Sequence, residues 1–290
     1  MIKKFTDIDG WFFWIDALLF ASLLDAQRNP APAVVVELGT YLGKSAVLIG
    51  DHLGPADRFV ALDLFGRTDL LDSDTCEVRN SAEVQRSYPT LTRAKFEANY
   101  LALHSELPTI VEGLSSSIVD HVEPGTVRFL HVDASHLYDP VSVDVHNARS
   151  LLRPGGVAVF DDWRSEHTPG VGAAVWEAVF TAGLIPIALT PYKFYGVYSH
   201  PEPVREAVAK VARQDEVWSQ TEEIAGHPVT RLKLRDGRRA PKATLNDADL
   251  DALAGRLATR LAAASDPAVP DMPAAAPKRR AAALFRRSGA

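Results

Sequence analysis

The sequence predicts an α/β protein with a doubly wound, Rossmann-like mixed sheet of seven strands, helices on both faces and a C-terminal β-hairpin. From Val34 onward, short β-branched runs alternate with longer helical patterns, as in a parallel sheet covered on both faces. A glycine-bearing turn follows the first run, where such folds place their ligand loop. With 290 residues and 47% hydrophobic content, the chain can bury one substantial core.

The first element is an apolar stretch over residues 11–24. Ile8, Phe12, Ile15 and Leu19 recur at helical spacing, which predicts an amphipathic helix lying on the core. Asp16 interrupts the stretch, which is also too short to span a bilayer. We therefore expect a helical cap over residues 1–33 and no stable membrane insertion.

Five runs are nearly continuous in apolar residues, as strands buried on both faces are. They are Val34–Leu38, 59–65, Thr109–Glu112, 127–133 and 157–161. Helical patterns separate them, at 44–53, 91–104, 116–121 and 141–152. A Pro154-Gly155-Gly156 sequence predicts a turn before the fifth strand.

The C-terminal part of the chain is predicted in three pieces. A helix over 172–183 precedes two apolar runs, 184–189 and 194–199, which predict a hairpin that completes the domain spanning 34–200. Residues 201–240 form an extension whose strand-like run, 229–234, has no predicted position. Residues 241–290 predict a leucine-striped helix and a disordered tail rich in Ala, Pro and Arg. Pairing of that helix with a second copy, giving a homo-oligomer, stays open.

Net charge indicates which classes of partner the protein binds, and cysteine content indicates its cellular compartment. The net charge of -6 argues against nucleic-acid binding, which requires a basic face, and favours a small neutral or cationic partner. The basic cluster Lys278-Arg279-Arg280 predicts a solvated tail rather than a contact with membrane or nucleic acid. The single cysteine, Cys76, cannot form an internal disulfide, so we expect a cytoplasmic protein.

The turn after the first strand runs from Gly39 to Gly43. A phosphate-binding loop needs four residues between its first glycine and Gly-Lys-Ser, and only three are present. A nicotinamide fingerprint needs glycine where Tyr41 and Lys44 stand. Glu37 would repel a pyrophosphate but suits the ammonium of an amino acid. These features favour S-adenosylmethionine, which carries that ammonium and a sulfonium.

Asp63 ends the second strand, where a carboxylate can accept hydrogen bonds from both ribose hydroxyls. A solvated strand-end carboxylate is the structural alternative. Residues after the third strand are expected to line the adenine. The predicted cofactor-binding residues are Glu37, Gly39, Thr40, Tyr41, Gly43, Ser45, Asp63, Gly113, Ser115 and Asp133.

Carboxylates follow strands four and five. Asp133, Asp161 and Asp162 would meet at one edge of the sheet, and an all-oxygen set suits magnesium or calcium rather than zinc. His136, with an intrinsic pKa of about 6.5, suits proton abstraction from a hydroxyl at neutral pH. A locally bonded structural histidine is the alternative.

These motifs resemble those of class I S-adenosylmethionine-dependent methyltransferases over residues 34–199. The turn from Glu37 to Gly43, Asp63 and the Leu-Leu-Arg-Pro-Gly-Gly sequence ending at Gly156 carry the resemblance. The pattern Asp133-x-x-His136 with Asp161-Asp162 is similar to the macrocin and mycinamicin sugar O-methyltransferases and the cephalosporin hydroxylase-like group. The resemblance implies Asp133, Asp161 and Asp162 as Mg²⁺ ligands and His136 as the catalytic base.

The sequence thus predicts a metal-assisted O-methyltransferase that acts on a hydroxyl of a small-molecule acceptor, a sugar or other secondary metabolite. A nicotinamide-dependent oxidoreductase and a non-catalytic Rossmann-like binding module are the alternatives. The loop over 65–90, with Asp69, Asp72 and Asp74, is expected to border the acceptor site without specifying its shape.

Overall fold

The protein, seen in a computed structural model, is described over residues 2–29, 31–71 and 91–235. Nine strands form one sheet in this part of the chain: β1 Val34–Leu38, β2 Arg58–Asp63, β3 Thr109–Glu112, β4 Val127–Val132, β5 Leu152–Phe160, β6 Ile185–Leu189, β7 Phe194–Val197, β8 Val217–Ile224 and β9 His227–Leu234. Six α-helices accompany them: α1 Trp14–Ala26, α2 Lys44–Asp51, α3 Arg93–Leu101, α4 Tyr138–Leu151, α5 Pro169–Thr181 and α6 Pro201–Ala212.

The strand order is β3-β2-β1-β4-β5-β7-β6-β9-β8. Strands β1 to β5 are parallel, whereas β7 runs antiparallel to both of its neighbours, β5 and β6. The α/β class, the mixed sheet and the hairpin of β6 and β7 are confirmed. The predicted number of seven strands is wrong, because β8 and β9 extend the sheet beyond β6.

Strand β8 was not predicted, and β9 was predicted only as a strand-like run, 229–234, without a position in the sheet. Strand β8 has the sequence VWSQTEEI, and most of its residues are exposed or half-buried, so it lacks the continuous apolar run of a central strand. Strand β9 has only two buried residues, Val229 and Leu232, and it pairs parallel to β6 through Ala188–Thr230 and Leu189–Arg231. That pairing is remote in sequence, so local pattern does not indicate it.

Helices cover both faces of the sheet, as predicted. One apolar cluster packs α1, α2, α3 and α6 against alternate strand residues such as Val35 and Phe129. The other packs α4 and α5 against the intervening residues, such as Val36 and Leu130. Alternation along each strand therefore assigns residue 37 to the face under α1 and residue 38 to the opposite face.

Helix α1 is shorter than its apolar periodicity suggested. It begins at Trp14, after Phe13 in an extended conformation, although Ile8 and Phe12 upstream are buried in the same cluster. Asp16 is fully buried within this apolar surface. None of the helices in the described ranges is long and apolar enough to cross a membrane.

Most predicted boundaries are displaced by one to three residues, and β5 by five. This strand begins at Leu152, which pairs with Val127 across an irregular register, so the predicted Pro-Gly-Gly turn lies within the strand. The predicted helix through Leu245 and Leu261, the basic tail, Cys76 and residues 72–90 lie outside the described residues.

Candidate active site

The predicted cofactor turn lies at the carboxyl edge of β1, between the ends of β2 and β4. Gly39 has a φ of +80°, and a Cβ atom there would lie 1.9 Å from the carbonyl oxygen of Asp133. Gly43 has a φ of +90° and starts α2. Glycine is therefore required at position 39, since the turn directly contacts the end of β4.

Asp63 fixes this turn. Its Oδ2 accepts backbone N–H bonds from Thr40 at 2.7 Å and Tyr41 at 2.8 Å, and its Oδ1 accepts one from Phe65 at 2.8 Å. Tyr41 has a left-handed φ of 48°, which these bonds help to hold. Burial raises the pKa of Asp63, although the three N–H bonds oppose that shift. A carboxylate has about four acceptor positions, so Asp63 could also meet a ribose hydroxyl.

Glu37 lies inside the protein rather than on the surface of the cleft. Its side chain is fully buried on the face under α1, and the Nδ1 of His131 lies 2.8 Å from its Oε1. Its Oε2 has no hydrogen-bond partner. Burial raises the pKa of Glu37 to about 8. The structure thus joins Glu37 to β4, and its predicted contact with a cofactor ammonium stays a prediction.

The remaining predicted cofactor residues surround the same turn. Thr40 is buried beside Asp63, and Ser45 is buried in the first turn of α2. The Gly113 N–H donates to the Asp63 carbonyl at 3.1 Å, which brings the end of β3 to the end of β2. Ser115 begins a 3₁₀ helix, Ser115–Asp120. These residues are gathered at one edge of the sheet, as a cofactor site requires.

The acidic cluster lies at the ends of β4 and β5. Asp133, His136 and Asp162 each offer a ligand atom within 4.8 Å of the others, and so do His131, Asp133 and Asp161. Among the described residues, the three predicted metal ligands therefore do not form one group. Asp133 belongs to both groups, whereas Asp161 and Asp162 belong to one each. The His136 Nε2 lies 3.3 Å from Asp162 Oδ2.

Lys193 occupies the interior side of this cluster. Its buried ammonium lies 2.6 Å from Asp161 Oδ2 and 3.9 Å from Asp133 Oδ2. The same Nζ lies 2.9 Å from His131 Nε2, which connects it to Glu37. Burial opposes the charge of Lys193, but the adjacent carboxylates outweigh it and raise its pKa. Burial, with Lys193 nearby, holds the pKa of His131 well below its usual value, so the ring is neutral.

Asp162 is held in a strained turn directly after β5. Its φ is 55°, an uncommon conformation for a non-glycine residue. Its Oδ1 accepts a bond from Ser165 Oγ at 2.6 Å, and its carbonyl accepts one from Thr168 Oγ1 at 2.9 Å. These bonds direct Oδ2 towards His136. Backbone strain of this kind concentrates at functional sites, where surrounding contacts maintain it.

The chemistry of these donors fits a divalent cation. Asp133 lies close to both Asp161 and Asp162, and its pKa is raised well above the usual value by burial and by the charge of Asp161. Lys193 is engaged mainly by Asp161, at 2.6 Å. Additional positive charge at Asp133 and Asp162 would relieve the repulsion, and carboxylate oxygens are the ligands that Mg²⁺ prefers.

Sequence reasoning missed the buried polar groups beneath this cluster. The Asp16 Oδ1 accepts bonds from Tyr195 Oη at 2.7 Å and Thr190 Oγ1 at 2.8 Å, and burial raises the pKa of Asp16 to about 6. The available signal was a polar residue within an apolar run: Asp16 in the first helix and His131 in β4. Such residues need partners when buried.

Comparisons with known proteins agree with this arrangement. A family model described as a methyltransferase domain matches residues 36–163. None of the curated proteins matches the sequence. The solved structure of the O-methyltransferase NovP is 17% identical, with a TM-score of 0.50 over 64% of this chain and 80% of that one. At this level of identity the likeness shows the fold.

Two further solved structures are similar. The calicheamicin methyltransferase CalS11 is 18% identical, with a TM-score of 0.44 over 64% of this chain and 77% of its own. A putative O-methyltransferase from Klebsiella pneumoniae is 14% identical, with a TM-score of 0.42 over 67% of this chain and 84% of its own.

The fold, the turn and the matched family model define the class of the protein. It is an enzyme, a class I methyltransferase, and the matched segment runs from β1 to Trp163, directly after the acidic cluster. This result sets aside both the nicotinamide-dependent oxidoreductase and the non-catalytic module.

Proposed function

We propose that this methyltransferase transfers the methyl group of S-adenosylmethionine to a hydroxyl oxygen of a small-molecule acceptor, a sugar or other secondary metabolite. The observation that carries the proposal is the contact between Gly39 and the Asp133 carbonyl, which places the cofactor turn directly against the acidic cluster. A methyl donor at the turn and a hydroxyl at the cluster would then be neighbours. Alignment of donor and acceptor supplies much of the rate of such a displacement.

The cofactor is proposed to lie over β1 and β2. The Asp63 carboxylate holds the turn through Thr40 and Tyr41 and has capacity for a ribose hydroxyl. Gly113 and Ser115, at the end of β3, are proposed to border the adenine. Glu37 is proposed to support the turn from below through the hydrogen bond between its buried carboxyl and His131.

His136 is the proposed general base. The Asp162 carboxylate lies on its Nε2 side at 3.3 Å and would stabilise the imidazolium that forms. With Nε2–H directed at Asp162, the ring would accept the acceptor's hydroxyl proton at Nδ1. A general base of this kind contributes about 10²- to 10⁴-fold to the rate.

Asp133 and Asp162 are the residues that would hold a divalent cation, with Asp161 beside them and bonded to Lys193. When bound, Mg²⁺ would lower the pKa of the acceptor hydroxyl and orient it. Lys193 would hold Asp161 in position through the contact of 2.6 Å between its Nζ and Asp161 Oδ2.

The base assignment is tested with methyl-labelled S-adenosylmethionine and a panel of hydroxyl-bearing small molecules. His136→Asn should lower kcat about 10²- to 10⁴-fold with unchanged affinity for S-adenosylhomocysteine. The matched control is His167→Asn, because this exposed ring lies 6.2 Å from that of His136. Full activity of the His136 variant, or transfer to amines alone, would contradict the proposal.

The cation site is tested separately by titrating the protein with Mn²⁺ and following its electron paramagnetic resonance signal. The wild-type protein should bind the ion, and Asp162→Asn should weaken that binding at least tenfold. Asp215→Asn, a change at an exposed carboxylate, should leave it unchanged. Equal binding by all three proteins would remove the cation from the proposed site.

A further inference from the structure

A cavity of about 680 Å³ opens beside the acidic cluster, where β6 and β9 end. Trp163 and Trp176 form one wall, and Trp218 lies on another. Trp218 belongs to β8, so the cavity depends on the two strands that extend the sheet. Its volume is in the range of small-molecule sites, about 300 to 1,000 Å³.

The wall formed by Trp163 and Trp176 is held by ring contacts. The two indoles meet edge to face with centroids 5.9 Å apart, and Phe194 lies 6.3 Å and 5.5 Å from them. Trp163 Nε1 also donates to the Thr190 carbonyl at 3.2 Å. A preorganised aromatic surface of this kind favours a planar ring as ligand.

The charged residues of the cavity lining are mostly basic. Arg164, Arg231 and Lys233 contribute three cations, whereas Glu222 contributes one carboxylate, which lies 3.3 Å from Arg231. Arg231 and Lys233 both lie over the Trp218 ring, at 5.7 Å and 5.4 Å from its centroid. Arg164 lies over the other indole, 5.9 Å from the centroid of Trp163. Three cations and one carboxylate leave a net positive charge beside the two indoles, which favours an oxyanion.

Two residues of the cavity lining, Trp163 and Thr190, are linked to the proposed catalytic edge. Trp163 directly follows Asp162, and consecutive Cα atoms are about 3.8 Å apart. Thr190 lines the cavity and also donates to Asp16 beneath the acidic cluster. A ligand held here could therefore present a hydroxyl to His136.

We propose that this cavity binds the methyl acceptor, and that the acceptor carries a planar aromatic ring bearing an oxyanion, a phosphate or a carboxylate. The inference rests on the proposed function in taking the ligand as the acceptor. The indoles of Trp163 and Trp218 contact the ring, and Lys233 with Arg164 binds the oxyanion.

The test is isothermal titration of the full chain with four probes. 1-Naphthyl phosphate and 2-naphthoate carry both features, 2-naphthol carries the ring alone, and inorganic phosphate carries the anion alone. 1-Naphthyl phosphate or 2-naphthoate should bind at least ten times more tightly than 2-naphthol or inorganic phosphate. Whichever of the two binds more tightly identifies the oxyanion as a phosphate or a carboxylate. Equal affinities for all four probes, or tightest binding of 2-naphthol or inorganic phosphate, would overturn the proposal.

Amino-acid substitutions test whether the preferred probe binds in this cavity. Trp218→Ala and Lys233→Glu should each weaken binding of the preferred probe at least tenfold, and Lys233→Glu should leave 2-naphthol unaffected. Lys210→Glu, at an exposed lysine of α6, is the charge control. Trp11→Ala is the aromatic control, because this ring is 61% exposed and outside the cavity lining. Both controls should change affinity less than twofold, and parallel losses in them would overturn the assignment.

Titration of the same samples with S-adenosylhomocysteine separates this inference from the proposed function. Probe binding without S-adenosylhomocysteine binding would support the cavity and contradict the cofactor assignment. Binding of S-adenosylhomocysteine without probe binding would overturn the cavity assignment alone. Lys233 is exposed, so its replacement should leave folding and cofactor affinity intact.

Discussion

Lys193 carries the buried positive charge that allows Asp161 and Asp133 to lie close together at the carboxyl edge of the sheet. Its ammonium also meets His131, and through that ring it is connected to Glu37 beside the cofactor turn. Four strands, β1, β4, β5 and β7, are thus joined by polar contacts at their interior ends. A buried charge persists only when it is paired, so the site depends on each member.

Replacing this ammonium should destabilise the protein. We expect Lys193→Met to lower the free energy of unfolding by about 3 to 5 kcal/mol, because Asp161 would remain as an uncompensated buried charge. Urea unfolding measures the loss, and the double variant with Asp161→Asn should recover part of it. Lys210→Met, at an exposed lysine, is the control. A loss no larger than that of the control would refute the role of Lys193.

Gly39 is the second residue on which the cofactor site depends. Gly39→Ala should abolish binding of S-adenosylhomocysteine, since its Cβ would overlap the Asp133 carbonyl. Gly125→Ala is a matched control, because Gly125 has a φ of +71° and a Cβ atom there would meet nothing within 4 Å. The control isolates the backbone cost of about 1 to 2 kcal/mol. Intact binding by the Gly39 variant would place the cofactor elsewhere.

At the scale of elements, β8 and β9 belong to the sheet that carries the site. Val229 of β9 is buried in the apolar cluster on one face and Leu232 in the cluster on the other. Strand β9 therefore contributes to both cores rather than lying outside them.

Truncating a core residue of β9 tests this. Leu232→Ala should lower the free energy of unfolding by about 2 to 5 kcal/mol, as expected for a buried leucine. Leu101→Ala, at a residue that is 47% exposed, should cost less than about 1 kcal/mol. Urea unfolding followed by tryptophan fluorescence should show a single transition for both. Equal stability of the two variants would show that β9 is not integral.

The elements also show which information the sequence contained. The bounds of β1 and β3 were predicted correctly, because apolar runs flanked by turn residues are local signals. The proximity of the turn and the acidic cluster was also predictable, since parallel strands end at one edge of the sheet, whereas the roles of these residues stay predictions. Lys193 lies between the two runs of the predicted hairpin and was not predicted as a site residue, because its partner His131 lies 62 residues away and their contact is tertiary.

For the whole molecule, buried carboxyl groups make stability depend on pH. Asp144 in α4 is fully buried. Burial raises its pKa from 3.8 to about 7. Between these values the folded protein keeps a proton that the unfolded chain has lost. The stability contributed by this group is therefore present below about pH 4 and is lost as the pH rises through about 7.

Replacing Asp144 isolates that contribution. The free energy of unfolding of the wild-type protein minus that of Asp144→Asn should decrease as the pH rises from about 4 to about 7. The slope should reach about 1.4 kcal/mol per pH unit, which is the value for one proton. Urea unfolding at pH 5, 6, 7 and 8 measures it. Asp120→Asn, at an exposed carboxylate, should give a flat difference. A rising difference for Asp144→Asn would contradict the sign.

The central claim is that the Gly39–Gly43 turn binds the methyl donor beside the acidic cluster. Isothermal titration of the full chain with S-adenosylhomocysteine, with Mg²⁺ and then with chelator, tests it most directly. We predict micromolar binding in both conditions, with NAD giving no heat under the same conditions. Binding of NAD without binding of S-adenosylhomocysteine would contradict the claim.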